Sequence, residues 1–228
     1  MKMYFVRHGH PDYRSDSLTE LGHKQAQLAA ERLSEIPLEK IFASTKGRAI
    51  QTAEYTAKKF DLPITLCDYM QELRWDSLDG EPVLANGHPW AITDIYASEG
   101  KTLQIPDWQD TLPYSNTQLV KCCRDIADGI DALLAEQGYT REGEYYRVSA
   151  EPTAKNIAMF SHAGASAAAF SHLFNIPFPA MCGLLHVGFT AITVVEFAEK
   201  NGERIYPKLI SSDIHHVKSL GDEVFFGN

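Results

Sequence analysis

Two short histidine motifs carry the chemistry open to this chain: Arg7-His8-Gly9 near its start and Ser161-His162-Ala163-Gly164 far downstream. A neutral imidazole is a nucleophile near physiological pH, and an arginine beside it offers a planar fork of donors suited to phosphate oxygens. A third cationic candidate, Arg48, lies one turn into the helical pattern that follows Lys40-Ile41-Phe42-Ala43-Ser44. Together these side chains could hold a phosphoryl group without a metal. His162-Ala163-Gly164 adds a strand-to-helix junction, where unpaired backbone N–H groups attract anions, and the small Ala163 lets a ligand approach the backbone. Neither a Walker-type glycine loop nor a dinucleotide fingerprint is present.

The elements around these motifs must bring them together. Met3-Tyr4-Phe5-Val6 and Ile157-Ala158-Met159-Phe160 are short apolar runs of the kind that form buried parallel strands. In such sheets ligands bind at the carboxyl edge, which places both histidines on one side. The spacing predicts a helix after Thr19, a strand ending at Ser44, a helix from about Arg48 to Phe60, and a strand over Ile64 to Leu66 leading to Glu72. It predicts further helices near Trp90 to Ala97, from Asn116 to Gln137 and from Gly164 to Phe174, the last closed by Pro177 and Pro179. Glu144 to Val148 reads as a short strand paired with the one ending at Ser161. Thr190 to Phe197 and Ile205 to Ile210 read as a hairpin joined through Asn201-Gly202. The expected fold is a three-layer α/β/α sandwich around a mostly parallel sheet with an antiparallel edge. It forms one domain over residues 1–228, with an irregular insertion at about 73–114 that shapes the substrate pocket. All three tryptophans, Trp75, Trp90 and Trp108, fall in that insertion as a substrate lid or as its small core.

At 228 residues, 44% hydrophobic and 22% charged, the composition is that of an ordinary globular protein, and the net charge of −9 argues against nucleic acid or an anionic membrane as partner. Cys67, Cys122, Cys123 and Cys182 show no framework spacing and read as reduced thiols of a cytoplasmic protein. Arg7 interrupts the first apolar stretch too early for a signal peptide, and no run approaches the ~20 residues that span a bilayer.

Arg7-His8-Gly9, Leu18-Thr19-Glu20-Leu21-Gly22, Ser44-Thr45-Lys46-Gly47-Arg48-Ala49-Ile50-Gln51-Thr52-Ala53 and Ser161-His162-Ala163-Gly164 occur in that order, and in this the chain resembles the histidine phosphatase superfamily. That group contains the cofactor-dependent phosphoglycerate mutases and many small phosphatases. The resemblance implies a metal- and cofactor-free transfer through a phosphohistidine on His8, with Arg7, Arg48 and His162 binding the phosphoryl oxygens. It implies a glutamate proton donor after the third strand, which falls on Glu72 in Met70-Gln71-Glu72-Leu73-Arg74-Trp75-Asp76-Ser77-Leu78-Asp79-Gly80. Asp76, Leu78 and Asp79 depart from the family's Gly-x-Trp-Glu-Gly, so Asp68, Asp76 and Asp79 stay as rival donors. Arg14 stands where family members often carry a phosphate-binding asparagine and is expected to contact the substrate. Neighbouring Arg7 and Arg48 are expected to lower the His8 pKa.

Other readings compete. His8-x-His10 with His162 could be a metal pair, but Arg7 would repel a dication; His10 reads better as a pocket-rim residue. Ser44 and Ser161 lack a nucleophile elbow and read as helix-start hydroxyls. Asp213, His215 and His216 suggest ligands in isolation, but they resemble the Asp-x-x-His stretch that ends the family's last strand, which implies a structural role, and His23, His88, His172 and His186 carry no assigned role. The chain lacks the mutases' Trp-Asn and Gly-Trp loop segments, having Pro11 to Ser17 instead. The expected function is therefore hydrolysis of a small phosphorylated metabolite, with phosphate or sulfate able to occupy the pocket. A mutase and a non-catalytic phosphate-binding module are the alternatives.

Overall fold

A computed structural model describes residues 1–81, 83 and 89–221. Along the chain run strands β1 (Lys2–Arg7), β2 (Pro11–Asp12) and β3 (Ser17–Leu18), helix α1 (Glu20–Leu33), strand β4 (Lys40–Ser44), helix α2 (Gly47–Phe60) and strand β5 (Ile64–Cys67). Helices α3 (Pro89–Ser98) and α4 (Leu119–Glu136) follow, then strands β6 (Tyr139–Glu142), β7 (Tyr145–Val148) and β8 (Asn156–Ser161). Helices α5 (Ala163–Phe174) and α6 (Phe178–Leu184) lead to the final strands β9 (Ile192–Glu196), β10 (Arg204–Ile205) and β11 (Lys208–Asp213).

The main sheet has the order β11-β9-β1-β8-β4-β5. β1, β8, β4 and β5 are mutually parallel, while β9 and β11 run antiparallel at one edge. Its inner strands β1, β8, β4 and β9 are largely buried on both sides because both faces are covered there. Met3, Phe5, Phe42, Ile157 and Met159 face α4 and α5, packing with Ile126, Ile130, Leu134 and Phe170. Tyr4, Val6, Ile41, Ala43, Ala158 and Phe160 pack with Leu33 of α1 and Ala53 of α2. The alternation of neighbouring residues between the two clusters makes this the three-layer sandwich expected. The parallel strands all end at one edge, with Arg7 opposite Ser161, Ala43 opposite Phe160 and Ser44 opposite Cys67.

Three expectations are corrected. β7 pairs with β6 and β10 in a separate small sheet, not with β8. Gly143 at φ +61 turns β6 into β7, a local pairing that the polar side chains of Arg141 and Glu142 hid in the sequence. The segment expected as one strand from Ile205 splits into β10 and β11 about Pro207, which has no N–H to give a ladder. Pro177 and Pro179 do close off α5, but they also open α6, where proline suits the first turn. The insertion supplies α3 and an aromatic core: Trp75 and Trp108 are buried against Tyr114, with ring centroids 5.9 and 5.8 Å from it. Part of the insertion, including His88, lies outside the described residues. No helix among the described residues is long and apolar enough to cross a membrane, and all four cysteines are free.

Candidate active site

The ends of β1, β4 and β8 deliver the two motifs and Arg48 to one buried cluster. His8 follows β1, held by its N–H donating to Ser161 O at 2.9 Å. His162 caps the start of α5, and Arg48 stands in the first turn of α2. All three side chains are buried. Arg48 Nε donates to His8 Nε2 at 3.3 Å, and a second Arg48 nitrogen reaches His162 Nδ1 at 3.1 Å. The imidazole rings stand edge to face with centroids 5.1 Å apart.

These contacts fix the proton on each ring. His8 Nδ1 lies 2.8 Å from Gly9 O, an acceptor only, so Nδ1 carries the hydrogen and Nε2 keeps its lone pair. His162 presents the opposite tautomer: Nδ1 accepts from Arg48, and Nε2 donates to Ser44 Oγ at 2.9 Å. Ser44, expected as a helix-start hydroxyl, also accepts from Lys46 N–H at 3.3 Å. Ser161 Oγ donates to Met70 O at 2.9 Å, tying β8 to the turn that carries Glu72.

Burial is the chief reason that the His8 pKa falls to about 3; the charges of Arg7 and Arg48 lower it further, against the Gly9 hydrogen bond. The sequence pointed to the arginines, whereas desolvation is the larger cause. His162 is likewise pushed well below the usual range, first by burial and then by His8 and Arg48. Burial also lowers the Arg7 pKa. Both histidines are thus held neutral, with a consequence for stability. The unfolded chain takes up protons below about pH 6.5 and the folded site does not, so stability present above that pH is lost as pH falls toward 3. Urea unfolding without phosphate should show the His8 ring removing about 2 kcal/mol between pH 7 and pH 5, with His162 acting in the same direction. His8→Asn should flatten its share of that slope; an unchanged slope would mean that the ring protonates freely in the fold.

Arg7 donates to Val187 O at 2.5 Å and lies over the Phe189 ring at 4.1 Å, while its Nε is buried with no partner. An orphaned cationic donor beside two neutral imidazoles is suited to take an anion. Vanadate at a hundred times its Kd should therefore raise stability by about 2.7 kcal/mol; an unmoved melting temperature would remove the anion pocket from consideration.

Glu72 reaches the same place from the turn after β5. Its Oε1 accepts from Leu73 N–H at 2.9 Å and from Ala165 N–H at 3.1 Å, at the start of α5. A β-carbon on Gly164 would lie 2.5 Å from that oxygen, so glycine there makes room for the carboxylate. Of the rival donors, Asp68 accepts from Thr45 and Gln71, and Asp79 from Asn116 and the Glu81 N–H. Asp76 pairs with Arg74 at 3.1 Å and shares the cavity with Glu72. That cavity, about 630 Å³, is lined by Arg7, Tyr13, Glu72, Trp90, Ala163 and Gly164 among others. Trp90 is thus a wall of the pocket, while Trp75 both lines it and belongs to the core.

Arg14 is not brought into this cluster. Its side chain is exposed, its N–H donates to Asp12 at 3.0 Å, and it does not line the cavity. Tyr13 takes that place, its ring 5.4 Å from the Arg48 guanidinium. His10 is half-buried and bonded to Thr19 Oγ1 at 3.0 Å. Asp16 was missed from the sequence. It sits at φ +50, accepts from Gly47 N–H at 2.9 Å and pairs with Arg48, fixing the guanidinium. Hydrogen bonds from Gly47 and Arg48 outweigh its burial and lower its pKa. The available signal was Gly47: a β-carbon there would lie 2.3 Å from Asp16 O, so the glycine marks a close approach. Thr52 Oγ1, which accepts from Gly9 N–H at 3.0 Å, was also missed. Among the described residues no group of three or more His, Cys, Asp or Glu side chains is gathered to hold a metal ion.

In sequence and in fold the chain is similar to known proteins. The chain is 27% identical over 150 residues to a "Probable phosphoglycerate mutase GpmB" of Photorhabdus laumondii, covering 60% of this chain and 70% of that one. In fold it is similar to a phosphoserine phosphatase mutant of Entamoeba histolytica in complex with phosphoserine, with a TM-score of 0.63 and 20% identity over 95% of this chain and 98% of that one. A mycobacterial glucosyl-3-phosphoglycerate phosphatase also has a TM-score of 0.63, at 22% identity, over 92% and 96% of the two chains. Residues 3–105 match the model of the histidine phosphatase superfamily (branch 1).

Proposed function

We propose that the protein hydrolyses small phosphomonoesters in two steps through a phosphohistidine on His8, without a metal. The observation that carries this reading is the His8 ring itself: buried, neutral, with Nδ1 tied to Gly9 O and the Nε2 lone pair turned to Arg48. In the first step Nε2 attacks phosphorus, the P–O bond to the leaving group breaks, and Glu72 gives the departing oxygen its proton. In the second, Glu72 takes a proton from water as that water attacks phosphorus, and the P–N bond breaks to release phosphate. Arg7, Arg48 and His162 bind the phosphoryl oxygens as charge spreads over them in each transition state. Ala163, in the cavity wall, leaves the leaving group room at the start of α5.

The pocket supports hydrolysis over mutase chemistry. A mutase must hold a substrate with a second anionic group and shield the phosphoenzyme from water. Here Arg74, a cation of the main cavity, is engaged by Asp76, and the adjoining cleft of about 380 Å³ contributes Asp94. Two carboxylates repel a second anion. The shared walls Arg7, Trp90 and Ala163 join both spaces into room for a small leaving group. The test is turnover of para-nitrophenyl phosphate in EDTA, with acid quenching to trap an acid-labile phosphoprotein. Metal-independent release of phosphate with a trapped phosphoenzyme is expected. Binding without turnover would favour the non-catalytic module, and a phosphoenzyme discharged only to a phosphorylated acceptor would favour the mutase.

A further inference from the structure

We propose that His216 is a positioning residue for the nucleophile, acting through a strained turn at Thr190. The proposal rests on the reading of His8 above, which it extends to the segment that holds His8 in place.

β1 ends at Arg7, and past that point His8 N–H still donates to Ser161 O on one side, while the partners on the β9 side run out just where the nucleophile stands. Thr190 replaces them. Its N–H is shared between Arg7 O at 3.1 Å and His8 O at 3.3 Å, while Arg7 N–H donates to Ala191 O at 3.2 Å. The same turn presents Phe189, whose ring lies 4.1 Å from the Arg7 guanidinium carbon and 5.7 and 5.3 Å from the His8 and His10 rings. One turn therefore contributes to the backbone and side-chain surroundings of both Arg7 and His8.

That turn is not at rest. Thr190 sits at φ +60, a conformation that a β-branched residue avoids and that persists only when its surroundings impose it. The imposing contact comes from the far end of the chain. Thr190 Oγ1 donates to Phe189 O at 2.7 Å, so its one hydrogen is used. His216 Nε2, at 3.1 Å from the same oxygen, is then the donor. This tautomer leaves His216 Nδ1 as an acceptor, and that atom is buried with no partner. The ring makes its one hydrogen bond to Thr190, and burial keeps it neutral, with its pKa lowered to about 4. Val217, fully buried next to it, anchors the segment. A strained residue, a buried histidine with an unused nitrogen and the carbonyls of Arg7 and His8 thus form one continuous chain of contacts.

His216→Ala should lower kcat for para-nitrophenyl phosphate by 10- to 100-fold with KM changed less than threefold, once scaled to the folded fraction. His216→Gln, which can place an amide N–H near the lost Nε2, should recover much of the loss. The decisive comparison is a double-mutant cycle. Glycine adopts φ +60 without a clamp, so in a Thr190→Gly background His216→Ala should cost less than half as much in log kcat as it does alone. Vanadate affinity provides a readout independent of turnover and should fall about tenfold in His216→Ala, since that anion engages the His8 ring. If wild type does not hydrolyse the ester, the phosphatase reading fails, and the vanadate arm still decides this proposal. Unchanged kcat and vanadate affinity per folded molecule would overturn it, as would equal losses in both backgrounds.

Discussion

His8→Ala should reduce kcat for para-nitrophenyl phosphate by about 10⁴-fold, a barrier increase of about 5 kcal/mol, and should abolish the acid-labile phosphoprotein. The size of the effect follows from what the variant retains. Arg7, Arg48 and His162 stay in place, so substrate still binds and KM should move little, while the covalent route disappears. Neither Ser44 nor Ser161 is poised to replace it: both are buried and committed, to His162 and Met70 O. Because the His8 pKa is held near 3, its protonation should not limit the wild-type rate at pH 5. Turnover that survived the substitution would show that the nucleophile lies elsewhere.

The second large effect concerns the leaving group. Glu72→Gln should slow hydrolysis of alkyl phosphates by about 10²- to 10⁴-fold, the range expected of a general acid. It should affect the first step on para-nitrophenyl phosphate far less, because p-nitrophenolate departs without a proton. The amide oxygen of glutamine can still accept from Leu73 and Ala165, so the start of α5 stays as it is and the loss reports on the proton alone. Burst kinetics separate the steps, because dephosphorylation needs the same carboxylate as a base. Equal losses in the first step on both ester types would remove Glu72 as the acid and turn attention to Asp76, the rival within the cavity.

The strength of the sequence lay where one residue type has few uses. Arg7-His8-Gly9 and Ser161-His162-Ala163-Gly164 follow apolar runs that can only be buried strands here, and the parallel sheet carries both to one edge. Arg48 was reachable because it follows a strand end by a short segment, and Glu72 because the family resemblance implied a donor at that place. The limit lay where contacts depend on turns. Asp16 is an ordinary acidic residue in a polar loop until its left-handed conformation swings it onto Gly47 and Arg48. Arg14 carries the suggestive charge, yet that tight turn leaves it exposed and puts Tyr13 over the pocket. The β6–β7 pairing escaped for a similar reason: a local hairpin of polar residues leaves no apolar alternation to read.

By itself, then, the sequence determined most of the elements and the sheet edge, and it singled out His8, Arg7, Arg48 and His162 as candidates, since hydrophobic period and motif order are local properties written along the chain. Only the tertiary structure decided which nitrogen of the His8 ring carries the hydrogen, why the pKa of His8 falls, and that Thr190 and His216 brace the strand that carries it. Those are properties of burial and of contacts between residues far apart in sequence, up to 26 positions for Thr190 and His216 and 118 for Ser44 and His162. Desolvation and hydrogen-bond direction exist only once the layers have closed around the site.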